Sequence, residues 1–176
     1  MADAPDNPFW EFSLAVYGRS GAAPACLGLQ DRHGLNVNLL LLCCWAGARG
    51  HGLTVAEFRD LITVVRPWEE EVVRPLRAVR RWLKAQTLAP AGPAGALREE
   101  ILARELDGER LEQLILAESL SIGEGEGGAE VAAANLKAYL AAMEIEADSA
   151  DAADLTAVLT AGFPDLLPLE ALGLLA

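Results

Sequence analysis

Apolar positions recur every three or four residues along most of this chain, which is the spacing of one face of an α-helix. The nearly continuous apolar run from Val37 to Ala48 predicts a helix without a polar face, and such a helix is buried on all sides. Asn36 stands at its N-cap position. Further helices are predicted from Phe9 to Arg19, from about Ala23 to Gln30, from Thr54 onward, and from Pro67 to about Lys84, the last kinked or split at Pro75. A long helix from Leu97 to about Ile122, with a break at Gly108 left open, is followed by helices from about Glu130 to Met143 and from about Asp151 to Ala161.

Two segments rich in Gly and Pro divide the predicted helices. Residues 89–95 are typical of a linker, and residues 123–128 of a flexible acidic joint. The sequence therefore predicts an all-α fold, a compact helical bundle of about five core helices in residues 1–122, followed by a helical extension in residues 123–176. The extension ends in a Leu-rich tail, Phe163 to Leu175. This tail is equally suited to docking on another chain, as in a homo-oligomer, and to covering its own core.

Composition supports the helical prediction and bears on the compartment. Apolar residues make up 52% of the chain but aromatic residues only 6%, and β-branched residues are sparse, which favours helices over strands. Cys26, Cys43 and Cys44 form neither an even set nor a CxxC pair, so reduced, buried thiols are expected. The N-terminus lacks the features of a signal peptide, and no uncharged stretch reaches the roughly 20 residues of a membrane span. We therefore expect a cytoplasmic protein without a membrane span.

Charge is distributed unevenly along the chain. Residues 1–92 carry ten Lys and Arg against nine Asp and Glu (+1), whereas residues 93–176 carry four against seventeen (−13), which sum to the net charge of −12. Without a basic excess to displace counterions from phosphates, general nucleic-acid binding is not expected. Binding by one basic helix remains open.

Four motifs resemble those of a known family. They are FWEFS at 9–13, CLGLQD at 26–31, GLNVNLLL at 34–41 and VRPLRAVRR at 73–81, together with Tyr17, Trp45 and Trp68. They identify the chain, over about residues 8–120, as a member of a family of short bacterial helical proteins known only as a conserved domain of unknown function. The resemblance implies no activity. It differs at Asn36, where the family pattern has Asp, and either residue can cap a helix.

Polar side chains embedded in apolar sequence form the first candidate site. Amides and a carboxylate beside a helix N-terminus can orient a ligand, and aromatic residues can line its pocket. The alternative is a structural network in which Asp31 and Asn36 cap and turn the chain and Gln30 and Asn38 bridge helices; we favour this reading. The candidate ligand-binding residues are Gln30, Asp31, Asn36, Asn38, Trp10, Tyr17, Trp45 and Trp68.

A basic helix face forms the second candidate site. Arg74, Arg77, Arg81 and Lys84 follow a spacing of three, four and three, which places them on one face. They are candidates for binding an acidic protein partner, and the alternative is pairing within the chain to the acidic helix Leu97 to Leu120. The carboxylates of that helix, from Glu99 to Glu112, are interpreted as a solvated face.

Other chemistry finds little support in the pattern. His33 and His51 have no companion ligands at zinc-site spacing, so we predict no metal and no cofactor. An apolar helix raises thiol pKa values, which argues against Cys43 or Cys44 as a nucleophile, and neither a GxSxG elbow nor a phosphate loop is present. We therefore predict a non-enzymatic protein-interaction or adaptor module. The alternative is a small-molecule-binding protein or enzyme with a pocket around Gln30, Asp31, Asn36 and Asn38.

Overall fold

The computed structural model describes residues 7–85, 93–123 and 125–176, and all regular secondary structure in those ranges is helical. The predicted all-α fold is confirmed. The helices are α1 (Pro8–Tyr17), α2 (Ala22–His33), α3 (Val37–Ala48), α4 (Val55–Trp68), a π-helical turn (Glu69–Val73), α5 (Arg74–Ala85), α6 (Pro93–Ser119), α7 (Ala129–Ala142), α8 (Ser149–Gly162) and α9 (Pro168–Leu175).

Helix α3 is the centre of the molecule. It begins where the sequence predicts, because the Asn36 side chain accepts hydrogen bonds from the backbone N–H groups of Asn38 (2.8 Å) and Leu39 (3.4 Å) and so caps the helix. Every residue from Asn38 to Gly47 is buried. It is in contact with five other helices, α1, α2, α6, α7 and α8. The apolar residues on all sides of α3 are therefore covered by neighbouring helices.

The hydrophobic core continues across residue 122, the predicted boundary between bundle and extension. Helix α7 packs on α3 more extensively than any other helix does, and Leu136 and Tyr139 of α7 are fully or almost fully buried. The Asn135 side chain accepts from the Leu53 N–H (2.7 Å) and donates to the carbonyls of Cys43 (3.2 Å) and His51 (3.0 Å). Residues beyond the joint therefore cover the central helix and satisfy its backbone.

Close backbone contact holds residues 125–127 against the end of α3. A Cβ atom at Gly127 would lie 2.0 Å from the Gly47 carbonyl oxygen and 2.1 Å from the Gly50 nitrogen. A Cβ at Gly47 would lie 2.5 Å from the Cα of Ala132 in α7. Glycine is required at both positions because the two backbones cross without room for a side chain.

A cluster of charges joins α2 to α8. Asp151 is buried and receives the Arg32 Nε hydrogen bond at 2.9 Å, while its other oxygen lies 2.8 Å from His33 Nε2. Arg32 also pairs with Asp154 at 2.6 Å. Burial by itself favours the neutral acid, but hydrogen bonds from the Asp148 backbone, His33 and Arg32 outweigh it and lower the pKa of Asp151.

The helices around Pro67 and Pro75 differ from the prediction. Thr54 and Glu57 form the predicted capping box at the start of α4, but α4 continues through Pro67 instead of ending there. A π-helical turn follows and leads without a break into α5, whose second residue is Pro75. Because Pro75 has no N–H to donate, the irregular turn lies where regular helical bonding is interrupted.

Helix α6 runs past Gly108 without a break. Gly108 is buried against Val72 and Val73, and its carbonyl accepts a hydrogen bond from Trp68 Nε1 at 2.9 Å. Helices α5 and α6 lie side by side in opposite directions, since contacts move from Val73 with Gly108 to Arg80 with Glu105. The predicted linker, residues 89–95, lies outside the described residues except for 93–95, which begin α6.

The Leu-rich tail forms α9 and uses only one of its faces. Ala171 is buried, and Leu174 and Leu175 pack against the core. Leu167, Leu169 and Leu172 are exposed, Leu169 by 83%. Among the described helices, none is long and apolar enough to cross a membrane.

Candidate functional site

A cavity of about 400 Å³ lies between α1, α3, α5 and α6. This volume falls within the range of about 300–1,000 Å³ that is usual for small-molecule sites. Its wall is mostly apolar, as such sites generally are. The apolar and aromatic residues are Trp10, Leu14 and Tyr17 of α1, Leu27 of α2, Val37 and Leu41 of α3, and Leu102 and Leu106 of α6.

Two buried polar atoms on the wall of this cavity have no hydrogen-bond partner in the described part of the chain. They are the Ser13 hydroxyl of α1 and the Gln113 side-chain carbonyl of α6. Ser13 is 3% exposed and Gln113 is 1% exposed. An unpaired buried polar group costs about 1–3 kcal/mol, so the absence of a partner for these two atoms requires an explanation.

The Gln113 amide ends a chain of buried hydrogen bonds that the sequence only partly revealed. Its nitrogen donates to Asn38 Oδ1 at 2.8 Å. Asn38 also lowers the pKa of the neighbouring Glu112, to which Asn36 Nδ2 donates at 2.6 Å. The Asn36 backbone N–H in turn donates to the Tyr139 hydroxyl at 2.9 Å. Asn36 and Asn38 therefore serve as structural connectors, and Asn38 also lines the cavity.

Glu112 has a strongly perturbed environment. It is 1% exposed, and burial raises its pKa to about 7, against the opposing effect of hydrogen bonds from Asn36 and Asn38. The nearby carboxylates Glu69 and Glu109 raise the pKa further. Glu112 therefore changes charge near neutral pH without reaching the cavity surface.

Ion pairs between α5 and α6 form the middle of the cavity wall. Arg77 donates to Glu105 at 3.0 Å and to Glu109 at 2.7 Å, and Arg80 also pairs with Glu105. Burial opposes ionisation of Glu105, but hydrogen bonds from Arg80 and Arg77 outweigh it and lower its pKa. Burial prevails at Glu109 and raises its pKa. Arg77 therefore pairs with carboxylates of the acidic helix within the chain, which is the alternative to binding a partner protein.

The outer part of the cavity carries two cations without a partner among the described residues. Arg81 and Lys84 are exposed, line the cavity on α5, and make no hydrogen bond or ion pair there. Arg74, the other residue of the predicted basic face, pairs with Glu69 at 3.2 Å. Arg74 and Arg77 of the predicted basic face therefore form ion pairs within the chain. Within the described part of the chain, Arg81 and Lys84 remain free to bind a ligand or a partner.

A second, more polar cavity of about 360 Å³ lies on the other side of Arg77. Gln30, Asp31, Arg74 and Arg81 line it, and Arg77 Nη1 donates weakly to Gln30 Oε1 at 3.4 Å. The predicted polar cluster therefore does not converge on one point, because Gln30 and Asp31 face this cavity whereas Asn38 faces the first.

Two predicted aromatic residues lie away from these cavities. Trp45 is 7% exposed, stacks on Phe9 with ring centroids 5.0 Å apart, and lies beneath the Arg49 guanidinium. Trp68 ties α4 to α6 through its bond to Gly108. Trp10 and Tyr17, by contrast, line the first cavity, and their role in binding a ligand stays a prediction.

The cysteines are buried and free. Burial raises the pKa of Cys26 and of Cys44 to about 12 and that of Cys43 well above its ordinary value, so these thiols stay protonated at neutral pH. No group of three or more His, Cys, Asp or Glu side chains within the described ranges is placed to hold a metal ion.

Several cavity residues were missed because the acidic helix was interpreted as a solvated face. That interpretation is wrong for Glu105 and Glu112, which are 3% and 1% exposed. Glu105, Glu109 and Gln113 repeat at a spacing of four, which places them on one helix face. A matching repeat of arginines on the preceding helix was the available signal that these faces meet. Ser13 carried no comparable signal.

Comparison with known proteins yields one match. Residues 8–116 match the model of a family described as a protein of unknown function (DUF2390). No curated protein and no solved structure matches the chain. The match includes α1 to α5 and most of α6, and thus all the elements that line the first cavity.

Proposed function

The chain belongs to the DUF2390 family, whose model covers more than half of its 176 residues, and since that family has no assigned activity, we propose from the geometry that the protein binds a small, largely apolar molecule. The binding site is the cavity between α1, α3, α5 and α6. This proposal takes up the alternative that the sequence leaves open, with the pocket centred on Asn38 rather than on Gln30 and Asp31.

The observation that carries the proposal is the pair of unpaired polar atoms at Ser13 and Gln113. A purely structural network would pair its buried polar groups with one another. Asn36, Asn38 and Glu112 do so, but the side-chain oxygen of Gln113 and the Ser13 hydroxyl, which belong to residues that line the cavity, have no partner among the described residues. An apolar wall with a few convergent polar atoms is the usual form of a small-molecule site.

Binding of an uncharged fluorescent probe tests the proposal. N-phenylnaphthylamine is titrated into the wild-type protein, and one saturable site per chain is expected. Leu106 and Leu111 lie on α6 with the same exposure of 42%, but only Leu106 lines the cavity. Leu106→Trp should weaken probe binding about tenfold or more by filling the cavity, whereas Leu111→Trp should leave it unchanged.

Two results would count against a ligand-binding function. One is the absence of saturable binding by the wild-type protein. The other is equal binding by the two tryptophan variants, which would place the probe elsewhere on the surface. Thermal unfolding of both variants checks that each remains folded.

A protein-interaction role, the preferred prediction from sequence, stays a second candidate. The exposed face of α9 supports it, since Leu167 and Leu169 are 63% and 83% exposed. Contiguous exposed apolar surface is typical of interaction sites. If this face joins two copies, sedimentation should show an oligomer that Leu169→Asp dissociates, and a wild-type monomer would argue against it.

A further inference from the structure

The charges on the cavity wall do not balance. Four cations line it, Arg77, Arg80, Arg81 and Lys84, against two carboxylates, Glu105 and Glu109, which leaves a surplus of two positive charges. The whole chain has a net charge of −12. A positive site in an acidic protein favours an anion locally.

The surplus lies toward one end of the cavity. Glu105 and Glu109 are both engaged by Arg77 or Arg80 in the middle of the wall. Arg81 and Lys84 follow them along α5 and have no partner among the residues that the structure describes. Since α5 and α6 run in opposite directions, these two cations lie near the Leu102 end of α6, far from Gln113.

The other end of the cavity wall contains an acceptor without a partner. Asn38 Oδ1 accepts from the Gln113 nitrogen at 2.8 Å. This bond engages the amide nitrogen of Gln113 and leaves its side-chain oxygen, which is buried, without a donor among the described residues. Because Gln113 lines the cavity, a ligand in the cavity could supply that donor.

Helix geometry sets the distance between these two ends. Eleven residues separate Leu102 from Gln113, and a rise of 1.5 Å per residue makes this about 16 Å. The wall between them includes Leu106, Leu41 and Leu14. The cavity is therefore elongated and apolar, with different polar groups at its two ends.

We propose that the ligand is an elongated amphipathic anion: a carboxylate or phosphate held by Arg81 and Lys84, an apolar body along the leucine wall, and a hydroxyl or amide N–H at the far end that donates to Gln113. This inference rests on the proposed binding function. It specifies the chemistry of the ligand from both ends of the same site.

Competition against the uncharged probe tests each end separately. The reference competitor is ω-hydroxydodecanoate. Dodecanoate lacks its hydroxyl group, and the dodecane α,ω-diol lacks its carboxylate. Dodecanol and dodecyl phosphate are also tested, so that an uncharged head group, a carboxylate and a phosphate can be compared on the same alkyl chain. The proteins are the wild type, the double variant Arg81→Gln/Lys84→Gln, and the control Arg98→Gln/Arg104→Gln. The control removes two cations of α6 that do not line the cavity, Arg98, which is partly exposed, and Arg104, which is exposed.

The hydroxy acid should compete best. Loss of the hydroxyl should weaken competition about tenfold because Gln113 is again left unpaired, and loss of the carboxylate about fivefold because the two cations are exposed. The carboxylate effect should disappear in Arg81→Gln/Lys84→Gln and persist in the control, while the hydroxyl effect persists in both. Competition by dodecanoate or dodecyl phosphate that exceeds that of dodecanol supports an anionic head, and the stronger of the two identifies it.

Equal competition by the hydroxy acid and the diol, an unchanged carboxylate effect in Arg81→Gln/Lys84→Gln, or no hydroxyl effect would overturn this inference. If none of the alkyl compounds displaces a bound probe, the ligand class is wrong, but the binding function stands. Only the absence of saturable probe binding would contradict both the proposed ligand class and the proposed binding function. The outcomes for ligand chemistry and for the binding function are thereby separated.

Discussion

Replacing Glu112 by glutamine should remove a pH dependence from the stability of this protein. Glu112 is 1% exposed, and its pKa in the folded protein is about 7 against an ordinary value of 4.5. Because folding raises this pKa, the folded state favours the protonated acid. The stability that the acid contributes is fully present below pH 4.5 and is lost as pH rises toward 7.

The magnitude follows from the size of the pKa difference. Each unit corresponds to about 1.4 kcal/mol, so a rise from 4.5 to about 7 makes the carboxylate about 3 kcal/mol unfavourable above pH 7. The amide of Glu112→Gln has no charge to bury, although it disturbs the hydrogen bond from Asn36 or Asn38 by an amount that does not depend on pH. We therefore predict that the stability of Glu112→Gln relative to wild type increases by about 3 kcal/mol between pH 4.5 and pH 8.

Urea unfolding at half-unit pH intervals provides the measurement. Glu118→Gln is the matched control, since Glu118 lies exposed on the same helix, and its difference from wild type should vary little with pH. A constant difference between Glu112→Gln and wild type across this range would refute the reasoning. Burial would then not control the ionisation of Glu112.

Three further predictions concern the rest of the fold. Truncation after Gly123 should abolish cooperative unfolding, because it uncovers α3 by removing residues such as Leu136 and Tyr139. Asp151→Asn should cost about 2 kcal/mol at pH 7, because the buried Asp151 side chain loses its charge-assisted hydrogen bonds to Arg32 and His33, which are themselves partly exposed. This cost should shrink as pH falls below about 4, because folding lowers the pKa of Asp151, so that its contribution to stability is present above that range and lost beneath it. Gly127→Ala should cost about 2 kcal/mol, because its Cβ would meet the Gly47 carbonyl at 2.0 Å.

Each of these predictions has a control or a contrary outcome. A cooperatively unfolding chain that ends at Gly123 would support the predicted division at residue 122. For the aspartate, Asp165→Asn on the exposed surface should have little effect at any pH. For the glycine, Gly123→Ala should be neutral, since no atom lies within 4 Å of a Cβ there. Urea or thermal unfolding measures all of them.

The sequence by itself determined the local structure of the chain. The Asn36 cap, the Thr54 capping box and the all-round apolar run between Val37 and Ala48 are each encoded within a few neighbouring residues, so their helices begin where predicted. The family could be identified from motifs for the same reason. Local prediction failed near Pro67, where the helix continues because tertiary contacts, such as the Trp68 bond to Gly108, hold it in place.

Only the tertiary structure decided which polar residues come together. The spacing of Arg77 and of Glu105 places each on a helix face, but their pairing depends on α5 and α6 lying side by side. Likewise, Asn38 meets Gln113, and the side-chain oxygen of Gln113 is left without a partner among the described residues, only because α3 and α6 pack against each other there. Burial and hydrogen-bond satisfaction are properties of distant segments in contact, so a candidate site is visible only once those contacts are known.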